Sequence, residues 1–197
     1  MKIDKMGNIL VIDPYNQEQN NYAKRIGYFS GTFDPFHLGH KRVLELSIPL
    51  LDEIWIQAHN YNPKKTPIDL KHRQNMILKT INGSLSIFLL DYPQELSEDK
   101  YKLMNELEKN ILGLSIVDLI GQDHLRRTIN YGITRPVICI SRKKYPNEEC
   151  RNITFINNDQ SFISSSEIRA KIKDKDFSSL PLAEEVLKYI SQNQLYQ

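Results

Sequence analysis

Cysteine is scarce in this chain, with 2 among 197 residues. Cys139 and Cys150 form no C-x-x-C pair, and so few cysteines supply neither a zinc-binding pattern nor a disulfide framework. The sequence therefore predicts a cytoplasmic protein that works in a reducing compartment. Cys139 lies inside an apolar run, which predicts a small buried hydrophobic residue.

Long apolar runs and a strong excess of one charge are also lacking. No run approaches the roughly 18–20 residues of a membrane-spanning helix, and Met1–Lys5 lack the apolar core of a signal peptide. The formal net charge is only +2, which gives little support to a nucleic-acid partner. The 40% of hydrophobic and 25% of charged residues are typical of a globular domain. The sequence leaves the oligomeric state open, a homo-oligomer included.

Apolar and amphipathic segments alternate from residue 26 onward. The predicted strands are Ile26–Ser30, Glu53–Ala58, Ser86–Asp91, Ser115–Gly121, Pro136–Ser141 and Ile153–Ile156. The predicted helices are Leu38–Leu51, Asp69–Ile81, Glu98–Ile111, Gln122–Tyr131, Ser165–Lys173 and Leu182–Ser191. Strands such as Val137–Ile140 are apolar on both faces, as in a parallel sheet covered by helices on both sides. The pattern predicts an α/β fold with a doubly wound, Rossmann-like parallel sheet flanked by helices.

The first 25 residues do not follow this alternation. They are interpreted as an N-terminal extension (1–25) that precedes one domain (26–197). Ile9–Ile12 is a candidate strand, and the polar segment Asn16–Asn21 is interpreted as a linker.

The segment Ser30–His40, with the sequence SGTFDPFHLGH, follows the first predicted strand of the domain and runs into a helix. Backbone N–H groups at such a turn, together with the helix dipole, favour a bound phosphate. His37 and His40 lie on the same side of the first helical turn, and Gly39 between them lets a ligand approach the backbone. Two alternatives remain open on spacing alone: a chance H-x-G-H, and a His37 that only serves the helix N-terminus.

A second hydroxyl-rich segment opens a later helix. Ser164 and Glu167 match the capping-box pattern S-x-x-E. The hydroxyls of Ser164–Ser166 at a helix N-terminus also make a candidate anion site. Arg169 lies within the first two turns, from which its planar, permanently charged guanidinium is suited to reach a phosphate.

A third segment, Leu119–Leu125, contains a strand end at Gly121 and an acid two residues later. Asp123 is interpreted either as a favourable partner of a helix dipole or as a ligand contact. His124 is predicted to be a surface residue.

Together these strings resemble the nicotinate/nicotinamide mononucleotide adenylyltransferases, members of the nucleotidyltransferase superfamily with the H-x-G-H motif. Gly31–His40 resembles the superfamily signature, Ile163–Arg169 is similar to the family's I-S-S-T-x-I-R, and Gly121–Leu125 resembles its G-x-D-x-L. The resemblance extends from about residue 25 to the end of the chain. It implies an enzyme of NAD biosynthesis that joins AMP from ATP to a pyridine mononucleotide, with Mg²⁺ accompanying the ATP.

The resemblance also implies which residues form the site. The implied catalytic residues are His37, His40 and Arg169. The implied nucleotide-binding residues are Ser30, Gly31, Thr32, Phe33, Gly39, Gly121, Asp123, Ser164, Ser165 and Ser166. The implied mononucleotide-binding residues are Lys64 or Lys65, in the loop after the second predicted strand.

The chain departs from the family where the pyridine ring is usually held. The family's S-Y-T-like segment and the tryptophans after G-x-D have no counterpart in 94–101 and 126–131, and Trp55 lies inside a strand. Tyr101 or Tyr131 is therefore the candidate ring platform, and the choice between nicotinate and nicotinamide stays open. His72 and Arg73 echo a family His-Arg pair and are interpreted as structural or surface residues.

Three other functions compete with this one. The first is a pantetheine-phosphate adenylyltransferase or another small-molecule nucleotidyltransferase of the same fold. The second is a class I aminoacyl-tRNA synthetase, which the short chain and the lack of a K-M-S-K-S element disfavour. The third is a nucleotide-binding sensor without turnover.

Overall fold

A computed structural model describes residues 1–16, 21–60, 66–93, 99–130, 132, 134–141, 152–158 and 164–197. The strands are β1 (Lys2–Met6), β2 (Ile9–Asp13), β3 (Arg25–Gly31), β4 (Glu53–Ala58), β5 (Ile87–Asp91), β6 (Ser115–Gly121), β7 (Val137–Ser141) and β8 (Ile153–Asn157). The helices are α1 (Leu38–Ser47), α2 (Leu70–Ile81), α3 (Lys100–Asn110), α4 (Leu125–Asn130), α5 (Ser165–Lys173) and α6 (Glu184–Gln192). All strands belong to one sheet, in the order β1-β2-β5-β4-β3-β6-β7-β8.

The sheet confirms the predicted doubly wound fold. From β3 onward every neighbouring pair is parallel, and the chain runs outward from β3 to β4 and β5 before it returns to β6 on the other side of β3. That reversal places the topological switch point between β3 and β6. Ligands of open α/β sheets bind at the carboxyl ends of the strands beside such a point. The loop that carries the two histidines follows β3 at this position.

Both faces of the sheet are buried, because apolar residues of its central strands point to both sides. All six residues of β4 are buried; Ile54 and Ile56 pack on one face, and Trp55 packs on the other. The first face is covered by α1, α2, α5 and α6, and the second by α3 and α4. Cys139 is fully buried as predicted, and burial raises the pKa of its thiol to about 12.

The N-terminal segment extends the same sheet. β1 pairs antiparallel with β2 through a turn in which Gly7 has a φ of 59°, and β2 pairs parallel with β5. The candidate strand at Ile9–Ile12 is therefore confirmed, whereas Lys2–Met6 was not predicted as a strand. The division into an extension (1–25) and a domain (26–197) stays a prediction.

Two predicted helices are shorter than their apolar patterns suggested. α1 ends at Ser47, and a 3₁₀ turn follows at Ile48–Leu50, because Pro49 cannot donate the hydrogen bond that would continue an α-helix. The segment predicted as a helix from Gln122 opens with a 3₁₀ turn before α4. Among the described helices, none has both the length and the apolar character that crossing a membrane requires.

Candidate active site

The loop between β3 and α1 folds back on its own strand. Phe33 adopts a φ of 50°, and its buried ring packs against Phe36 and against His40, with ring centroids 5.2 Å and 5.0 Å away. Gly31 makes this possible, since a Cβ there would lie 2.9 Å from the Phe33 ring. The Phe33 side chain therefore stabilises the loop by packing against two of the residues that follow it. Any nucleotide contact of this residue would come from its backbone.

The two histidines form a stacked pair at the start of α1. Their ring centroids are 3.7 Å apart with an interplanar angle of 18°, which confirms that they share one side of the first turn. His37 is the N-cap and is buried, whereas His40 is partly exposed. The backbone N–H of His37 donates to Nδ1 of His40 at 3.2 Å. Nδ1 is thus an acceptor, so the ring proton of a neutral His40 lies on Nε2, and a protonated ring nitrogen is a donor of the kind that an oxyanion accepts.

The N-terminus of α5 docks on the same loop, 130 residues away in sequence. The Ser165 hydroxyl lies 3.3 Å from the Pro35 carbonyl oxygen, and Arg169 Nη1 donates to the Asp34 carbonyl oxygen at 2.5 Å. Arg169 Nη2 also lies 3.4 Å from the Ser166 hydroxyl. The structure therefore brings Ser165, Ser166 and Arg169 together with the H-x-G-H loop, as the resemblance implied.

The capping box predicted for this helix is wrong in one respect. The helix begins at Ser165 with Ser164 as N-cap, as predicted, but the Ser164 side chain makes no capping hydrogen bond. The helix start is held by its docking on the loop, through Ser165 and Arg169.

Asp34 joins this loop to the C-terminal segment. Its side chain is only 6% exposed. Oδ1 accepts a hydrogen bond of 2.7 Å from the Tyr196 hydroxyl, and Oδ2 lies 3.7 Å from Arg169 Nη1. Burial, followed by the Asp34 charge, raises the pKa of Tyr196, so this phenol stays protonated and donates. Sequence reasoning missed the contact, which spans 162 positions.

Arg73 on α2 joins the loops that follow β3 and β4. Its guanidinium is 1% exposed and donates to three backbone carbonyls: Nε to Ile68 at 2.8 Å, and Nη1 to Thr32 and to His59, both at 2.7 Å. The His59 N–H in turn donates to the Gly31 carbonyl at 2.9 Å. The structural interpretation of Arg73 is confirmed: it fixes the two loops that form the floor of the site.

A group of cations surrounds His59 beside this floor. Burial, together with the charges of Lys100, Arg73, His124 and Arg127, lowers the pKa of His59 to about 4. His59 is therefore neutral at pH 7, and the positive charges around it favour anionic ligands at this edge of the sheet.

Lys100, at the start of α3, is tied to a buried carboxylate. Its Nζ lies 3.0 Å and 2.8 Å from the two oxygens of Asp118, a fully buried residue. Burial raises the pKa of Asp118, and Lys100 opposes that rise. Tyr101, the candidate ring platform, follows Lys100 and is half-buried, with Lys100 Nζ 4.8 Å from its ring centroid.

The loop after β6 stands on the other side of the switch point. Gly121 ends β6, and a Cβ there would lie 2.8 Å from Oδ1 of Asp123. The Asp123 and His124 side chains are 64% and 62% exposed, so the surface position predicted for His124 is confirmed. Asp123 presents its carboxylate to solvent beside the crevice, where a ribose hydroxyl would be a suitable donor.

The remaining predicted site residues lie partly inside and partly outside the described ranges. Lys64, Lys65 and Tyr131 lie outside the described residues. Ser30 and Gly31 end β3, and Gly39 lies in the first turn of α1. Within the described ranges, no three His, Cys, Asp or Glu side chains are grouped closely enough to hold a metal ion.

Known proteins resemble this chain over most of its length. The family model described as "Cytidylyltransferase-like" matches residues 28–171. A probable nicotinate-nucleotide adenylyltransferase from Oceanobacillus iheyensis is 28% identical over 187 residues, with 88% of this chain and 97% of the relative covered. The nicotinate-nucleotide adenylyltransferase of Bacillus subtilis is 28% identical over 194 residues, with 88% and 99% covered.

A solved structure shares the fold. It is the nicotinic acid mononucleotide adenylyltransferase of Plasmodium falciparum complexed with NaAD, which matches with a TM-score of 0.69 and 22% identity. The match covers 88% of this chain and 97% of that one.

Proposed function

The chain belongs to the cytidylyltransferase-like family, and from that premise we propose that it joins the AMP part of ATP to nicotinate mononucleotide, giving deamido-NAD and pyrophosphate. The chain is an enzyme of the nucleotidyltransferase class, and relatives named for this reaction align along 88% of it. The observation that carries the proposal is the convergence of His40, Arg169 and the α5 N-terminus on the loop after β3.

The chemistry requires no nucleophile from the protein. The mononucleotide phosphate is already an anion, and it attacks the α-phosphorus of ATP in line while pyrophosphate leaves. The barrier comes from repulsion between two anions and from charge that grows on the departing group, so positioning and electrostatic stabilisation are the means of catalysis.

Each part of the site has a role in this scheme. Nε2 of His40 donates to a phosphate oxygen of ATP, and His37 stacks behind it and holds the ring. Arg169 and the serines at the start of α5 neutralise the leaving pyrophosphate. The positive charges near His59 favour the anionic mononucleotide.

Mg²⁺ enters with ATP as part of the substrate. Asp34 is the carboxylate of the motif loop, which is the H-x-G-H loop between β3 and α1. It already accepts a hydrogen bond from Tyr196 and lies beside Arg169. Phosphate oxygens and water are ligands that Mg²⁺ commonly keeps, so the ion needs no protein cage here. We place the reaction in the cytoplasm, because a free thiol such as that of the buried Cys139 is typical of a protein in a reducing compartment.

The decisive experiment is a pyrophosphate-release assay with ATP and each candidate acceptor in turn. We expect nicotinate mononucleotide to give the highest kcat/KM, since relatives that align along 88% of the chain are named for the nicotinate nucleotide. A clearly higher kcat/KM for nicotinamide mononucleotide would reverse the ring preference. A product formed only from pantetheine phosphate would move the enzyme to the sibling activity, and ATP binding without turnover would make the chain a sensor.

A further inference from the structure

The C-terminal segment supplies a polar group to the active-site loop. After α6 the chain turns back, and Tyr196, with a φ of 66°, places its hydroxyl 2.7 Å from Oδ1 of Asp34. Asp34 lies inside the motif loop, between the Gly31 turn and His37. A residue remote in sequence is thus in direct contact with the loop expected to carry the phosphates.

Asp34 has a second partner, and that partner is the phosphate-binding arginine. Nη1 of Arg169 donates to the Asp34 carbonyl oxygen at 2.5 Å, while the same nitrogen stays 3.7 Å from the carboxylate oxygen Oδ2. The guanidinium is therefore held by the backbone and only approached by the carboxylate. The Arg169 side chain remains 30% exposed.

The carboxylate of Asp34 is a potential competitor for this guanidinium. A buried carboxylate needs hydrogen-bond donors, and a planar arginine fork is the strongest donor within reach. The Tyr196 hydroxyl satisfies one carboxylate oxygen and so reduces the pull on Arg169. Without it, the carboxylate would draw the guanidinium into a closer ion pair and away from an incoming phosphate.

We propose that Tyr196 is a positioning residue for nucleotidyl transfer, which holds the Asp34 carboxylate so that Arg169 stays available to the phosphates of ATP. The inference rests on the proposed function, because it assigns Arg169 to those phosphates. It adds a residue of the C-terminal segment that acts through another side chain and touches no substrate.

Tyr189 offers a matched control. It is half-buried like Tyr196, and its hydroxyl is 2.9 Å from Nδ1 of His72 and 3.0 Å from Nδ2 of Asn75, both of which belong to α2. Tyr189→Phe and Tyr196→Phe therefore each remove one bonded hydroxyl from a tyrosine of the same C-terminal region. Only the second loses a contact with Asp34.

The test measures ATP binding by calorimetry and steady-state kinetics of pyrophosphate release. We expect Tyr196→Phe to weaken ATP binding and to raise the KM for ATP by about tenfold, the scale of one hydrogen bond to a charged group. The KM for the mononucleotide and the melting temperature should match those of Tyr189→Phe. In an Arg169→Ala background, Tyr196→Phe should change ATP affinity no further.

Two results would overturn the proposal. One is a Tyr196→Phe variant that binds ATP as well as Tyr189→Phe does, since the hydroxyl would then be structural only. The other is an equal loss of affinity with and without Arg169. If the wild type binds ATP yet releases no pyrophosphate with any acceptor, the proposed function fails. The ATP affinities of the single and double variants then still test the role of Tyr196. A wild type that binds no ATP contradicts both.

Discussion

Replacing Arg73 by lysine tests whether the floor of the site depends on the guanidinium or only on its charge. The buried guanidinium reaches the carbonyls of Ile68, Thr32 and His59 with two nitrogens. A lysine ammonium would end near the position of the guanidinium carbon, so it cannot replace the Nε bond and would lengthen the other two. Hydrogen bonds from charged donors contribute about 1.5–3 kcal/mol each, so the loss of one and the weakening of two predicts destabilisation of about 2–4 kcal/mol.

A chain of this size loses about 2–4 °C of melting temperature per kcal/mol, so we expect Arg73→Lys to melt about 5–15 °C lower. Urea unfolding should give the same order of free energy, and pyrophosphate release should fall because the loops after β3 and β4 are no longer joined. Arg126→Lys is the matched control, since Arg126 is exposed on α4 and its replacement should change neither quantity. An Arg73→Lys variant that melts with the wild type would refute this reasoning.

Three further outcomes follow from the site. His40→Ala should slow pyrophosphate release by about 10²-fold or more, the scale of a lost transition-state donor; a near-normal rate would remove His40 from the mechanism. Arg169→Lys should weaken ATP binding because the bidentate fork is lost, and ATP should raise its melting temperature less than that of the wild type; equal shifts would separate Arg169 from the nucleotide. Burial and nearby cations lower the pKa of His59 to about 4, whereas the unfolded chain takes up that proton near 6.5. Stability from His59 is thus complete above about pH 6.5 and is lost as pH falls toward 4, so urea titrations of His59→Asn should show a smaller acid loss than the wild type.

Local patterns predicted much of this fold because they depend on nearby residues alone. Glu53–Ala58 and Ser165–Lys173 have the predicted bounds, since one is centred on the apolar run Ile54–Ile56 and the other begins in a cluster of hydroxyls. β1 was missed because three of the five residues in Lys2–Met6 are charged and the segment is a strand through its pairing with β2.

The candidate site divides in the same way. The loop between β3 and α1 and the α5 N-terminus follow from contiguous strings of residues. The Tyr196–Asp34 bond and the three carbonyl partners of Arg73 arise when distant segments meet, and no local spacing specifies them. The bond between His37 N–H and His40 Nδ1, which sets the tautomer, likewise required coordinates.

The hairpin at the beginning of the chain has a consequence for how the protein behaves in a crowded solution. Without it, β5 would be the edge strand of the sheet, and its apolar segment at Leu89 and Leu90 would be open to pairing with other chains. β2 pairs with β5 at this position. β1 is then the edge strand, and it carries lysine and aspartate. Charged borders discourage strand-to-strand association between molecules. We therefore expect the β1–β2 hairpin to reduce aggregation through the sheet edge opposite β8.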